Sequence, residues 1–153
     1  MKITAKVVDH KKIIISLKEL PGNLMDALMD ELYIGVNEIR NYIIRSMEDT
    51  KRAPWFYWRG KGAGRKKHHP SMPFNPPARD TGELISRIIA DVRSDEAEVG
   101  VEAGAPYSIY LEKGTPKMKK RPFLEPAIDA KLPEMEENIM AAIEQAAEDT
   151  FRR

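Results

Sequence analysis

Apolar residues recur every three or four positions along Met25, Leu28, Leu32, Val36, Ile39, Ile43 and Met47, while Asp26, Asp30 and Arg40 take other faces. This spacing predicts one amphipathic helix, capped by Asn23 and reaching Thr50. At about 1.5 Å per residue it would be roughly 40 Å long. Such a stripe buries against a sheet or a second helix. A second stripe, Met135, Ile139, Ala142, Ile143, Ala146 and Ala147, predicts a helix from just after Phe123 to the end of the chain. Pro126 is tolerable in its first turn, whereas Pro133 is expected to break or kink it.

Between and before these helices the period changes. Residues 3–8 alternate loosely and suit an edge strand. Residues 10–20 stay open. Asp9 can cap a helix carrying Ile14, Leu17 and Leu20, yet Ile13, Ile14 and Ile15 are equally strand-like, and periodicity does not settle so short a piece. Pro21-Gly22 ends either one. Asp80 or Thr81 can cap a short helix reaching about Arg87, with Glu83 near the capping-box position. Residues 88–93 then read as a strand, 94–96 as a turn and 97–101 as a second strand, a hairpin with Val99 and Val101 on its inner face.

Residues 104–127, GAPYSIYLEKGTPKMKKRPFLEPA, are heavily punctuated. Pro106 fits a first helical position and Gly114 a left-handed C-cap. Tyr107, Tyr110 and Leu111 fall on one helical face, and Thr115-Pro116 forces an extended exit. Taken locally, the segment is a capped surface helix with a basic exit, or a shaped contact element.

Charge sharpens the picture. The formal net charge is +1, but residues 50–79 hold eight of the 25 Lys and Arg residues and none of the 24 Asp and Glu residues. The chain is an acidic body with one basic insertion. Both tryptophans stand at its base, in Ala53-Pro54-Trp55-Phe56-Tyr57-Trp58. Residues 59–77 read as a long mobile loop, with the basic insertion extending over 59–79. Basic residues beside aromatics resemble the stacking-plus-phosphate design of nucleic-acid surfaces; the alternative is a solvated loop whose aromatic base packs on the core. The length of 153 residues suits one domain. The absence of cysteine excludes a disulfide framework and thiolate metal sites. No apolar run approaches the roughly 20 residues of a membrane span, and residues 1–6 lack the apolar stretch of a signal peptide, so a soluble intracellular product is expected.

No catalytic constellation assembles. His68 and His69 are adjacent in a Pro-flanked loop, poor spacing for a preformed metal site. The glycines of 59–67 lack the order of a phosphate-binding loop. Ser71, Ser86, Ser94 and Ser108 lack an elbow or base motif. Glu112 suits an interface or capping carboxylate better than a general base. No cofactor, metal or catalytic residue is expected.

Three pieces follow in order: Pro77-x-Arg79-x-Thr81-Gly82-x-Leu84, then Gly104-Ala105-Pro106-Tyr107-x-x-Tyr110-x-Glu112-x-Gly114-Thr115, then Arg121-Pro122-Phe123-Leu124-x-Pro126-Ala127. The combination resembles the small tail-component, or neck, proteins of long-tailed bacteriophages and prophages, encoded among the head–tail joining genes. The likeness covers about half the chain, from Pro76 onward, and Trp55 to His69 looks like a lineage-specific insertion whose role does not carry over. The resemblance implies an α+β fold: a few-stranded antiparallel sheet packed on a long N-terminal helix, here with a C-terminal helix and a long basic loop. It implies a structural virion protein, not an enzyme, assembling as a homo-oligomeric ring at the head–tail junction after synthesis in the host cytoplasm. Its partners would be head-closure or portal-side and tail-terminator or tail-tube proteins, with genomic DNA passing through the lumen and no membrane involved. On that basis Tyr107, Tyr110, Glu112, Lys117, Lys119, Lys120, Arg121 and Phe123 are expected at subunit or partner contacts. Arg59, Lys61, Arg65, Lys66 and Lys67 are expected to face DNA or an acidic neighbour. Gly82, Pro106, Gly114 and Pro122 are expected to set turns. The competing reading is a free nucleic-acid-binding protein using residues 51–69; a dedicated hydrolase is a weaker third.

Overall fold

The computed structural model describes residues 4–8, 12–16, 22–93 and 96–151. Strands β1 (Thr4–Val8) and β2 (Lys12–Ser16) precede the long helix α1 (Gly22–Asp49). A small hairpin follows, β3 (Tyr57–Arg59) and β4 (Lys66–His68), with a 3-10 turn at Gly62–Gly64. Helix α2 (Glu83–Ser86), strands β5 (Ile88–Val92) and β6 (Glu96–Val101), and helices α3 (Ser108–Lys113) and α4 (Glu125–Phe151) complete the chain. The fold is α+β. A four-stranded antiparallel sheet in the order β1-β2-β6-β5 packs through β5 and β6 on α1, and α4 packs on α1 as well.

The sheet's inner face follows from its register. Ile88 pairs with Val101, Ala90 with Val99 and Val92 with Ala97. Because side chains alternate along a strand, these six fall on one face; Ile88, Ala97, Val99 and Val101 are buried. The α1 stripe meets them, with Leu28, Leu32, Val36, Ile39, Ile43 and Met47 buried in the same cluster. Arg40 Nε donates to Ile88 O at 2.9 Å and ties the start of β5 to α1.

Four expectations change. Residues 12–16 are a strand, so the helical reading of 10–20 fails there; Asp9 and His10 lie outside the described residues. Pairing on both sides of β2, to β1 and β6, outweighs the weak helical period. The expected turn at 94–96 falls on Ser94 and Asp95, outside the described residues, and Glu96 already belongs to β6. Helix α4 runs unbroken past Pro133. Pro133 and Asp129, whose carbonyl loses its usual donor, are both exposed, so water can satisfy that oxygen. Meanwhile Ile128, Met135 and Ile139 hold both halves of α4 in the core. Residues 57–68 are a hairpin, not a structureless loop.

Gly35 shows how closely α1 and α4 approach. A Cβ there would lie 2.5 Å from Met135 Cγ and 2.7 Å from its Sδ. Glycine inside a helix costs about 1 kcal/mol of propensity relative to alanine, so the contact must offset that. Gly35→Ala is expected to lower stability by about 1–2 kcal/mol, since overpacking a filled site costs more than the propensity gained. Adding Met135→Ala should recover part of the loss in denaturant titrations. Strictly additive effects would show that the contact is not the cause.

Candidate functional site

The hairpin owes its two faces to strand alternation. Trp55, Tyr57 and Arg59 face a cleft; Phe56 and Trp58 lie on the other side. On that outer side Lys67 Nζ sits 4.6 Å from the centre of the Phe56 ring, and Arg65 lies 5.7 Å from that of Trp58. Such contacts contribute about 0.5–1 kcal/mol each at exposed sites. None of the four aromatics packs into the core: Trp55, Phe56, Tyr57 and Trp58 are 47, 44, 51 and 50% exposed.

The stem is fixed to the body. Ala53 N donates to Pro70 O at 2.6 Å, and Arg52 Nη2 donates to Arg79 O at 2.6 Å. His69 Nδ1 lies 3.2 Å from Ala53 O, a contact that requires this nitrogen to carry the proton. Further out, Asp80 receives Arg59 Nη1 at 2.6 Å and lies 3.4 Å from His68 Nδ1. Tyr57 and His68, paired across the hairpin, have ring centres 5.0 Å apart.

Burial lowers the His68 pKa; Asp80 works against it, and Arg59, Arg52 and His69 add to the lowering. Neutral His68 is therefore favoured in the folded chain. The unfolded chain takes up the proton first as pH falls, so this contribution to stability is whole above the ordinary imidazole value of 6.5 and declines below it. Asp80→Asn should push the His68 midpoint lower still, measured by NMR titration of the ring protons. An unchanged or higher midpoint would contradict the assigned geometry.

The cleft has a volume of roughly 580 Å³, within the range of about 300–1,000 Å³ usual for ligand sites. Trp55, Tyr57, Arg59 and His68 form one wall; Tyr107, Leu111, Met118 and Arg121 form the other, with Leu84 and Ser71 between. Ser71 Oγ is buried there without a hydrogen-bond partner among the described residues. Burial raises the Tyr107 pKa, and Glu83 raises it further. Arg121 joins the walls by donating from Nε and Nη2 to Ser71 O at 3.3 Å, and Phe74 N donates to Lys120 O at 2.9 Å.

The expected contact residues divide. Tyr107, Tyr110, Lys117, Lys119 and Lys120 are exposed and Arg121 is half-buried. Phe123, 1% exposed, is a core residue and cannot serve as a surface contact. Glu112 is also inside: Oε2 accepts from Phe123 N at 2.9 Å and Leu124 N at 3.2 Å, and Oε1 accepts from Glu125 N at 3.0 Å. It caps α4 from α3, the capping role of the two expected for it, and is not a subunit or partner contact. Among the expected DNA contacts, Lys61, Arg65, Lys66 and Lys67 are exposed and have no carboxylate partner among the described residues, whereas Arg59 is engaged by Asp80.

The turns also shift. Gly82 has φ 87° and leads into α2, with Thr81 Oγ1 accepting from Glu83 N at 3.3 Å. Helix α3 starts at Ser108, two residues after Pro106. The face expected to be common to Tyr107, Tyr110 and Leu111 divides, since Tyr107 and Leu111 line the cleft and Tyr110 does not. Gly114 has φ 80° but ψ −177°, an extended glycine exit instead of a left-handed cap. The chain then turns tightly over Pro116 and Lys117, through reciprocal bonds between Thr115 and Met118. Pro122 is buried at the entry to α4.

Asp80, His68 and Ser71 were not singled out for the cleft from sequence. The alternation of Trp55, Tyr57 and Arg59 against Phe56 and Trp58, followed by a glycine-rich turn, is the signal that points to the hairpin. Among the described residues no group of three or more His, Asp or Glu side chains could hold a metal ion, and no helix is long and apolar enough to cross a membrane. Comparisons with protein-family models, with curated proteins and with solved structures return no match to this chain.

Proposed function

We propose that this chain is a structural subunit of the head–tail connector of a long-tailed phage or prophage, building a ring between the portal or head-closure side and the tail tube. It acts in the virion neck by shape and contact, without catalysis. The observation that supports this reading is the meeting of the three resembling segments. Pro77, Thr81, Gly82 and Leu84 come from the first, Tyr107 and Leu111 from the second and Arg121 from the third, and all line one cleft. Glu112 holds the second segment to the third, and Arg121 N donates to Leu111 O at 2.6 Å. Their order along the chain thus corresponds to one built unit that presents Tyr110, Lys117, Lys119 and Lys120 outward, with Tyr107 at the edge of the cleft. Aromatic and basic side chains of this kind suit contact with neighbouring copies and stacked rings.

Removing the gene from its phage or prophage should leave DNA-filled heads and finished tails that fail to join, counted by electron microscopy; intact virions would overturn the proposal. Deletion of residues 59–69 separates the hairpin from the ring. Normal virion yield and DNA retention after that deletion would remove any lumen role for the hairpin and leave the connector reading standing.

A further inference from the structure

Two basic stretches that are about fifty residues apart in sequence flank the same cleft. One is the hairpin, where Lys66 pairs with Arg59 and so shares its cleft face, while Arg65 and Lys67 lie over Trp58 and Phe56 on the other face; the other is the short arm after Gly114, where Lys117, Lys119 and Lys120 are chain neighbours of the cleft-lining Met118 and Arg121. Their bases are bonded together through Arg121 to Ser71 O and Phe74 N to Lys120 O. All six side chains are exposed and none has a carboxylate partner among the described residues. Between them stand half-exposed Trp55, Tyr57 and Tyr107.

We propose that this cleft binds single-stranded nucleic acid: bases enter it and stack on Trp55, Tyr57 and Tyr107, while the phosphates run along Lys66 on one side and the lysines of the 117–120 arm on the other. Three features favour that ligand. Flat aromatic faces beside exposed cations match the stacking-plus-phosphate chemistry of single-strand sites. A paired duplex keeps its base faces covered, so it can use the cations but not the aromatic walls. An acidic peptide likewise has no call on three stacking surfaces. The carboxylates present do not oppose the assignment: Asp80 is neutralised by Arg59 at 2.6 Å, and Glu83 lies 3.9 Å from Arg87. Both can accept from the amino groups of bases, and Ser71 Oγ, which has no partner among the described residues, offers a further polar group at the cleft. The inference extends nucleic-acid binding from residues 51–69 to the 117–121 arm. It concerns the isolated subunit and does not depend on ring assembly.

The test uses the full chain and fluorescein-labelled oligothymidylate of about 15 nucleotides, a length on the scale of known single-strand sites. Anisotropy should report binding that weakens steeply with salt, through counterion release, together with quenching of the intrinsic tryptophan fluorescence. A duplex of equal length should bind several-fold more weakly. Trp55→Ala and Tyr57→Ala should each weaken single-strand binding roughly 10-fold, and Lys117→Glu with Lys119→Glu should do so by a similar factor. Arg45→Glu with Arg93→Glu changes net charge equally but lies on α1 and after β5; it should stay within about twofold of wild type at 0.1 M salt. Circular dichroism checks that each variant is folded. A flat titration at low salt would overturn the proposal. So would equal or tighter duplex binding, wild-type affinity in the aromatic or arm variants, or polyglutamate bound as tightly as the oligonucleotide.

Discussion

Glu112→Ala is expected to lower stability by about 3–4 kcal/mol, although the side chain is neither catalytic nor at the surface. Glu112 is 7% exposed and its carboxylate accepts three backbone N–H groups, of Phe123, Leu124 and Glu125. Hydrogen bonds to a charged acceptor contribute about 1.5–3 kcal/mol each, and a buried donor left alone costs about 1–3 kcal/mol. These terms overlap, because water can reach the partly buried Glu125 N–H, so the total stays below their sum. The anion also faces the positive end of α4, a 27-residue helix. Glu112→Gln keeps the shape and one acceptor but turns an amide N–H₂ toward a backbone N–H; about half the loss is expected. Thermal melts would show a drop of roughly 10 °C for the alanine variant at this chain length. Near-wild-type melting in both variants would reject the capping role and leave the interface carboxylate, the other of the two expectations from sequence.

How much was legible depended on where the determining interaction lay. The α1 stripe and the β5–β6 hairpin were readable because each buries a face at its own period, 3.6 residues or 2, over enough residues to count. Residues 12–16 were ambiguous since three consecutive isoleucines fit either period, and the decision came from pairing with β6, some 85 residues away. The 57–68 hairpin was misread because its stabilising contacts are not apolar burial. They are cross-strand aromatic–cation contacts, the Ala53–Pro70 bond and the Arg59–Asp80 pair. In composition these residues look like a solvated loop. Pro133 misled for the opposite reason: a strong local rule was outweighed by packing of α4 on α1.

The site divides in the same way. Exposure of Tyr107, Tyr110 and the 117–120 lysines agrees with their amphipathic placement. The inward turn of Glu112 and Phe123 does not follow from local pattern, because the groups that satisfy Glu112 lie 11–13 residues ahead, past two prolines. Nor does any local signal join the hairpin to the arm. That junction rests on backbone carbonyls of Ser71 and Lys120, which carry no residue-type signature.

Gly114→Val carries the other large expected effect, a loss of about 3 kcal/mol or more. With φ 80° and ψ −177°, Gly114 occupies a region open essentially to glycine alone, where a side chain costs about 1–3 kcal/mol in strain. Space is short as well: a Cβ would lie 2.9 Å from both Lys120 N and Met118 O. Both are backbone atoms, so no rotamer change relieves the clash, and the turn must open. Opening it breaks the paired bonds between Thr115 and Met118 and displaces Arg121, whose N–H bonds Leu111 O at 2.6 Å. The lysine arm would lose its fixed direction across from the hairpin. Gly114→Ala should give most of the loss, since strain and the Cβ contact are already present with one methyl. Combining Gly114→Val with Glu112→Ala should cost less than the two singles together, because both release the same connection between α3 and α4. Denaturant titrations of the four proteins measure this coupling. If Gly114→Val is wild-type in stability, the arm is not held by its glycine, and the part proposed for it in assembly or in binding nucleic acid must rest on side chains alone.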